Sequence, residues 1–179
     1  MSEPRRTPGL IDLQVNGYAG HDINADDVTP DTVIALTRSL WAEGVTTYLP
    51  TVITASEDKI RHSLAQIAAA RRSDPLIAHS IPGVHVEGPS LAADDGPRGA
   101  HDAVQLRNPD LGELDRWQTA AEGLVRIVTL APELPGSTEY IAGAVKQGVQ
   151  VSIGHCAPEP DHIRAAVGAG ATLSTHLGN

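Results

Sequence analysis

Phenylalanine is absent from this sequence, and two tryptophans and three tyrosines are its only large aromatic side chains. A core made without Phe has to be filled by Val, Ile, Leu and Ala, which suits a parallel sheet covered on both faces. Cysteine occurs once, at Cys156, so an intrachain disulfide is excluded and nothing points to an oxidising compartment. No apolar run reaches the length of a membrane span, and residues 1–8 are polar and basic, without the apolar stretch of a signal peptide. A cytoplasmic location is the expectation. Positive charge is the scarcer sign: 13 Lys and Arg stand against 22 Asp and Glu, a net charge of -9. That balance leaves no electrostatic footprint for nucleic acid or an anionic membrane and directs the reading toward a small-molecule partner.

What is present has the composition of one globular domain, with 41% hydrophobic and 20% charged residues and no low-complexity tract. Strand-length apolar runs alternate with helix-period segments, the βαβα pattern of a parallel sheet. The first strand reads 9–14 and is followed by a Gly-rich loop with Asn16, Gly17 and Gly20. A helix starts at Thr29-Pro30, with Thr29 as N-cap and Pro30 in the first helical position, and stops at Gly44. The second strand is 45–52. Ser56 then opens a helix in which Ile60, Leu64 and Ile67 recur at helical spacing. The third strand, 81–86, runs into Glu87-Gly88-Pro89 and a long irregular loop reaching about Pro109, and loops of that length tend to be functional. Further helices are read at 111–122, from Ser137 as cap to Gly148, and at 161–167. Strands at 124–130, 149–153 and 171–175 follow them, the last two leading into Gly154-His155 and His176.

This pattern predicts an α/β fold, a TIM-type (β/α) barrel with about six of its eight βα units. The barrel domain is read as 9–179 and residues 1–8 as an N-terminal arm. A complete barrel takes roughly 200 to 250 residues, so the 179 residues are read as the N-terminal two-thirds of an enzyme, with two unpaired sheet edges.

Three of the strands end in a residue able to bind a metal: Glu87, His155 and His176. In a parallel barrel the carboxyl ends of the strands open on one face, so residues distant in sequence converge there. Two imidazoles and one carboxylate leave a fourth position for water, the stoichiometry of a catalytic zinc site. A divalent ion so held lowers the pKa of its water to about 7 and polarises a carbonyl, which points to hydrolysis of an amide or similar bond. Zn²⁺ and Fe²⁺ both accept this ligand set, with Zn²⁺ the first expectation. Among the other histidines, His62 and His162 lie on helical segments among charged residues and read as solvated, and His21 and His79 have no motif context. His85, two residues before Glu87 on the same strand face, reads as core. His101 lies in the long loop after Glu87, from which an imidazole can reach a substrate.

Several phrases, taken together and in order, resemble one family. They are residues 8–17 (PGLIDLQVNG), 47–51 (TYLPT), 85–89 (HVEGP), 129–133 (TLAPE), 152–155 (SIGH) and 175–179 (THLGN). The set is similar to the N-acetylglucosamine-6-phosphate deacetylases of the amidohydrolase superfamily and covers essentially the whole chain. The resemblance implies metal-dependent removal of acetate from N-acetylglucosamine 6-phosphate or a related amino sugar. It places Glu87, His155 and His176 as metal ligands, Ala100 and His101 as a substrate-contacting pair whose His helps to polarise the amide carbonyl, and Asn179 near the substrate phosphate. It makes a homodimer the expected assembly. Many amidohydrolases carry His-x-His on the first strand; Gln14 and Asn16 stand there instead, as is frequent in this family, which argues for one metal and gives these two a supporting position beside the ligands.

The sequence departs from the family where an aromatic after Glu-Gly-Pro is replaced by Ser90, and where Gly178 stands in the histidine motif. Both changes enlarge or reshape the pocket. The small N-terminal β-sandwich usual in the family has no counterpart before the first strand. The Asp that serves the superfamily as general acid and base belongs to the eighth strand, beyond residue 179, so the 179-residue chain alone is expected to turn over little or not at all. Another amidohydrolase activity, deaminase or cyclic amidase, and a non-catalytic barrel fragment are the alternative readings.

Overall fold

A computed structural model describes residues 8–178 of the chain. Its elements in order are β1 (Leu10–Val15), a short antiparallel pair β2 (Gly17–Tyr18) and β3 (His21–Asp22), α1 (Pro30–Ala42), β4 (Val45–Ile53), α2 (Glu57–Ser73), α3 (Pro75–Ser80) and β5 (Val84–Glu87). One turn of 3₁₀ helix (Ala103–Gln105) precedes α4 (Leu111–Ala120), β6 (Val125–Leu130), α5 (Ser137–Lys146), β7 (Gln150–Ile153), α6 (Pro160–Ala169) and β8 (Leu173–Ser174). The main sheet has the order β1-β4-β5-β6-β7-β8 and every pairing in it is parallel. Six parallel strands in chain order, with a helical crossover after each from β4 to β7, make a half-barrel, as the alternating pattern predicts.

The helix starts follow from local chemistry. Thr29 accepts a hydrogen bond from the Thr32 amide while the Thr32 hydroxyl accepts from the Thr29 amide, and Pro30 occupies the first turn of α1. Ser56 caps α2 through the Lys59 amide. Ser137 does not act as the cap expected of it. Gly136, with φ at +82°, takes the N-cap position, and the Ser137 hydroxyl donates to the Ala131 carbonyl at 3.0 Å, tying α5 to the end of β6. The third sheet strand begins at Val84, not 81, because Asp74 and Pro75 open a short helix that the apolar periodicity hides. The last strand is only two residues long, pairing on one side with β7.

Along the strands, side chains alternate between two layers. One face meets the helices: Val84 and Val86 of β5, Val125 and Val128 on β6 and Val151 on β7 join Leu36, Ile60, Leu64, Leu114, Trp117 and Ile141 in a continuous apolar core. The other face lines the barrel interior and is buried but polar. Thr51 pairs with His85, Glu87 with Thr129, and Thr129 with Ser152, and all five are 3% exposed or less. As the six-strand count predicts, β1 and β8 form the sheet edges, and Leu10, Ile11 and Leu13 on β1 are more than half exposed. Among the described residues, no helix is long and apolar enough to cross a membrane.

Candidate metal centre

β5 ends on Glu87, and the chain leaves β7 through Gly154 to His155 and leaves β8 through Thr175 to His176. The parallel arrangement brings these three strand ends to one mouth, where one ligand atom from each lies within 4.8 Å of the other two. Glu87 Oε1 is 3.2 Å from His155 Nε2 and 3.0 Å from His176 Nε2. Glu87 is 2% exposed, whereas the His176 side chain is 40% exposed on the free edge. His155 and His176 both hold left-handed backbone, with φ of +51° and +58°. For a non-glycine residue that costs on the order of 1–3 kcal/mol.

The residues around the trio share its cavity of about 520 Å³, lined by Gln14, Asn16, Ile53, Glu87, Ala100, His101, His155 and His176. Gln14 Nε2 donates to Glu87 Oε1 at 2.9 Å and lies 3.5 Å from His176 Nε2. Asn16 and Ala100 are exposed on the cavity wall. Asn179 lies outside the described residues.

His101 is buried. Its Nδ1 is 2.8 Å from the Thr54 hydroxyl, its Nε2 is 3.2 Å from His155 Nε2, and its ring meets that of His155 edge-on. Burial, then the neighbouring His155, pushes the His101 pKa down to about 4, leaving the ring neutral near pH 7.

The long loop that carries His101 is pinned at its far end by Arg107, whose guanidinium binds the Glu113 carboxylate and the Ala55 and Gln105 carbonyls. Nearer the site the Pro97 carbonyl accepts from His155 Nδ1 at 3.0 Å, and Gly99 passes so close that a Cβ there would sit 3.3 Å from the His155 ring.

His85 is buried, as a core reading expects, yet it is fully engaged: its Nδ1 donates to the Leu13 carbonyl at 3.3 Å and its Nε2 is 2.7 Å from the Thr129 hydroxyl. Burial lowers its pKa, so the neutral ring accepts from Thr129 at Nε2. His62 and His162 are exposed. Sequence reasoning passed over Thr54 and Arg107. Thr54 follows immediately on a strand end, a position that could have flagged it; Arg107 carries no local signal.

The donor set fits a divalent cation. A carbonyl oxygen only accepts, so His155 donates to Pro97 from Nδ1 and turns its Nε2 toward the Glu87 carboxylate, the orientation of a metal-ligating imidazole. Glu87 is buried with no Lys or Arg partner among the described residues. A buried carboxylate with two imidazole nitrogens within about 3 Å is a donor set that a divalent cation between them would satisfy.

No family model matches the chain. Curated relatives do. The chain is 36% identical over 175 residues to N-acetylglucosamine-6-phosphate deacetylase of Bos taurus, covering 96% of this chain and 42% of that protein. It is 34% identical over 173 residues to N-acetylgalactosamine-6-phosphate deacetylase of Escherichia coli O157:H7, covering 96% of this chain and 44% of that one. Among solved structures, it superposes with a TM-score of 0.84 and 36% identity on a Mycobacterium smegmatis N-acetyl-D-glucosamine-6-phosphate deacetylase variant in complex with N-acetyl-D-glucosamine-6-phosphate, covering 96% of this chain and 43% of that chain. The chain thus spans less than half the length of the relatives it matches.

Proposed function

We propose that this chain, a partial homologue of the N-acetylglucosamine-6-phosphate deacetylases, binds one divalent metal through Glu87, His155 and His176 and forms part of a site that hydrolyses the acetamide of an N-acetyl amino-sugar 6-phosphate. The observation that carries this reading is the convergence of His155 Nε2 and His176 Nε2, at 3.2 and 3.0 Å, on the buried carboxylate of Glu87, which has no Lys or Arg partner among the described residues. A bound divalent ion, Zn²⁺ in the first place and Fe²⁺ as the alternative, supplies Lewis acidity and an activated water.

The remaining steps belong to the protein. Pro97 and Gln14 hold His155 and Glu87 in register. Thr54 orients His101, whose Nε2 faces the cavity where the acyl oxygen is to be polarised. Ala100 flanks that oxygen, Asn16 supports the wall beside Gln14, and Asn179 contacts the sugar phosphate. Glucosamine and galactosamine derivatives share the acetamide and the 6-phosphate, so both sugars fit the same chemistry. The assembly proposed is a homodimer.

A second reading rests on one feature: among the described residues lining the cavity, Glu87 is the single carboxylate, and it is occupied as a ligand. Amide cleavage also needs a proton for the leaving amine, a contribution of about 10² to 10⁴ in rate. Beyond the three ligands His101 is the one titratable group among the described residues lining the cavity, and it is neutral near pH 7, so the second reading is a binding-only site that holds metal and sugar phosphate without cleaving the amide.

Two measurements test the proposal. Zinc-reconstituted protein should hold about one ion per chain, and His155→Ala and His176→Ala should each lose it after dialysis, because two ligands do not replace the three of a catalytic site. Retention of stoichiometric metal by the double variant refutes the ligand assignment. Acetate release is then assayed on N-acetylglucosamine 6-phosphate and N-acetylgalactosamine 6-phosphate. Metal and sugar-phosphate binding without acetate release supports the binding-only reading, and hydrolysis of a different amide alone discards the sugar.

A further inference from the structure

Beneath the metal centre lies a line of side-chain hydrogen bonds that does not touch the cavity. His85 on β5 donates from Nδ1 to the Leu13 carbonyl of β1, and its Nε2 meets the Thr129 hydroxyl of β6 at 2.7 Å. The Thr129 hydroxyl is 2.9 Å from that of Thr175, just after β8, and Thr175 is 2.6 Å from the Ser152 hydroxyl on β7. His85, Thr129 and Ser152 are 3% exposed or less. The line crosses the barrel interior from one sheet edge to the other, joining strands that are five places apart in the sheet order.

Both ends of the line are places where the backbone ladder is weakest. The β1·β4 register is broken between Asp12 and Val15, the stretch that holds Leu13 and Gln14. β8 contributes two ladder residues and has a partner on one side. Each end carries, as the very next residue, a side chain that meets Glu87: Gln14 follows Leu13, and His176 follows Thr175. His176 is also the most exposed of the three ligand side chains, so packing does little to hold it.

We propose that half-buried Thr175, anchored by the buried hydroxyls of Thr129 and Ser152 in this hydroxyl–imidazole line, is a positioning residue that fixes His176 for the metal, with His85 tying the same layer to Gln14. The proposal rests on the metal reading given under Proposed function. Partners that orient a ligand from behind typically matter about tenfold to 100-fold in metal affinity. Strand pairing supplies that rigidity to Glu87, in the middle of the sheet, but not to an edge strand of two residues.

The test is Zn²⁺ affinity, measured on the whole chain by competition with a chromophoric chelator. Thr175→Val, which keeps the shape and removes the hydroxyl, should weaken binding about tenfold to 100-fold, while Thr175→Ser, which keeps the hydroxyl, should stay within about threefold of the parent. In a His176→Ala background, Thr175→Val should cost nothing further, because its effect passes through that ring; in a His155→Ala background it should cost its full factor. Thr129→Val interrupts the line one hydroxyl away without altering the β8 segment. It should weaken binding in the same direction, and it carries the test if Thr175→Val does not fold. Parent-like affinity in the valine variants, or a loss that persists undiminished without His176, overturns the proposal. Absence of Zn²⁺ binding by the parent chain is a separate result: it refutes the metal reading itself and the positioning role with it.

Discussion

Replacing Gly154 by alanine adds one methyl group at the crossing of three strands, and the structure gives its consequences. An ideal Cβ at Gly154 would sit 2.8 Å from Thr175 Cβ, 2.9 Å from Thr129 Cγ2 and 3.2 Å from the Thr175 carbonyl oxygen. Carbon atoms pack best at about 3.5–4.0 Å, so the new methyl has to be relieved by several tenths of an ångström on two sides at once. Neither neighbour yields easily: both are β-branched and stiff at χ1, and Thr129 is fully buried. Overpacking of this kind costs about 1–3 kcal/mol. In a chain of this size each kcal/mol moves the melting temperature by about 2–4 °C, so Gly154→Ala should melt about 2–12 °C lower.

Gly168 supplies the control, since a Cβ there would meet nothing within 4 Å and the residue lies inside α6. Alanine should gain the helix toward the lower end of about 0.5–1 kcal/mol, raising the melting temperature slightly. Thermal unfolding followed by circular dichroism on metal-free protein reads both. A Gly154→Ala protein that melts at or above the parent, or a Gly168→Ala protein that melts well below it, refutes the reasoning.

Other outcomes follow from buried polar contacts. Thr37 is fully buried, donates to the Val33 carbonyl and meets the Tyr48 hydroxyl at 2.8 Å. Thr37→Val strands that phenol and should cost about 1–3 kcal/mol in urea unfolding, and an unchanged midpoint would sink the idea. Burial pushes the Tyr48 pKa up to about 12. Its folded value therefore exceeds the ordinary 10, so its stability contribution is complete below pH 10 and lost as pH rises through about 12, which absorbance titration of tyrosinate checks. Arg107→Ala removes the clamp on buried Glu113 and frees the far end of the loop that carries His101. Trypsin should then cut at Arg98 faster than in the parent, and equal cleavage rates would show that the loop is held by other contacts.

The sequence by itself determined the alternation of strands and helices, and hence the half-barrel. It also identified which residues meet at its mouth. Those inferences succeed because they rest on local chemistry: apolar periodicity, Thr29 and Ser56 as caps, and the rule that parallel strands deliver their final residues to one side. Glu87, His155 and His176 could be named together since each lies at, or within two residues of, the end of a legible strand, and Gln14, Asn16, Ala100 and His101 then fall on the same cavity.

Where sequence reading failed locally, a competing local option won. Gly136 outbid Ser137 as a cap, and the Asp74-Pro75 pair started a helix of six residues, too short to show a period. What only the tertiary structure decided is pairing between distant side chains: Thr54 against His101, Pro97 against His155, Arg107 against Glu113, and the line from Leu13 through His85 and Thr129 to Thr175. A threonine or histidine on a strand looks the same whether its polar atom meets a ligand, a carbonyl or water. Strand register determines which of these it meets, and register is settled by the packing of the whole sheet against its helices.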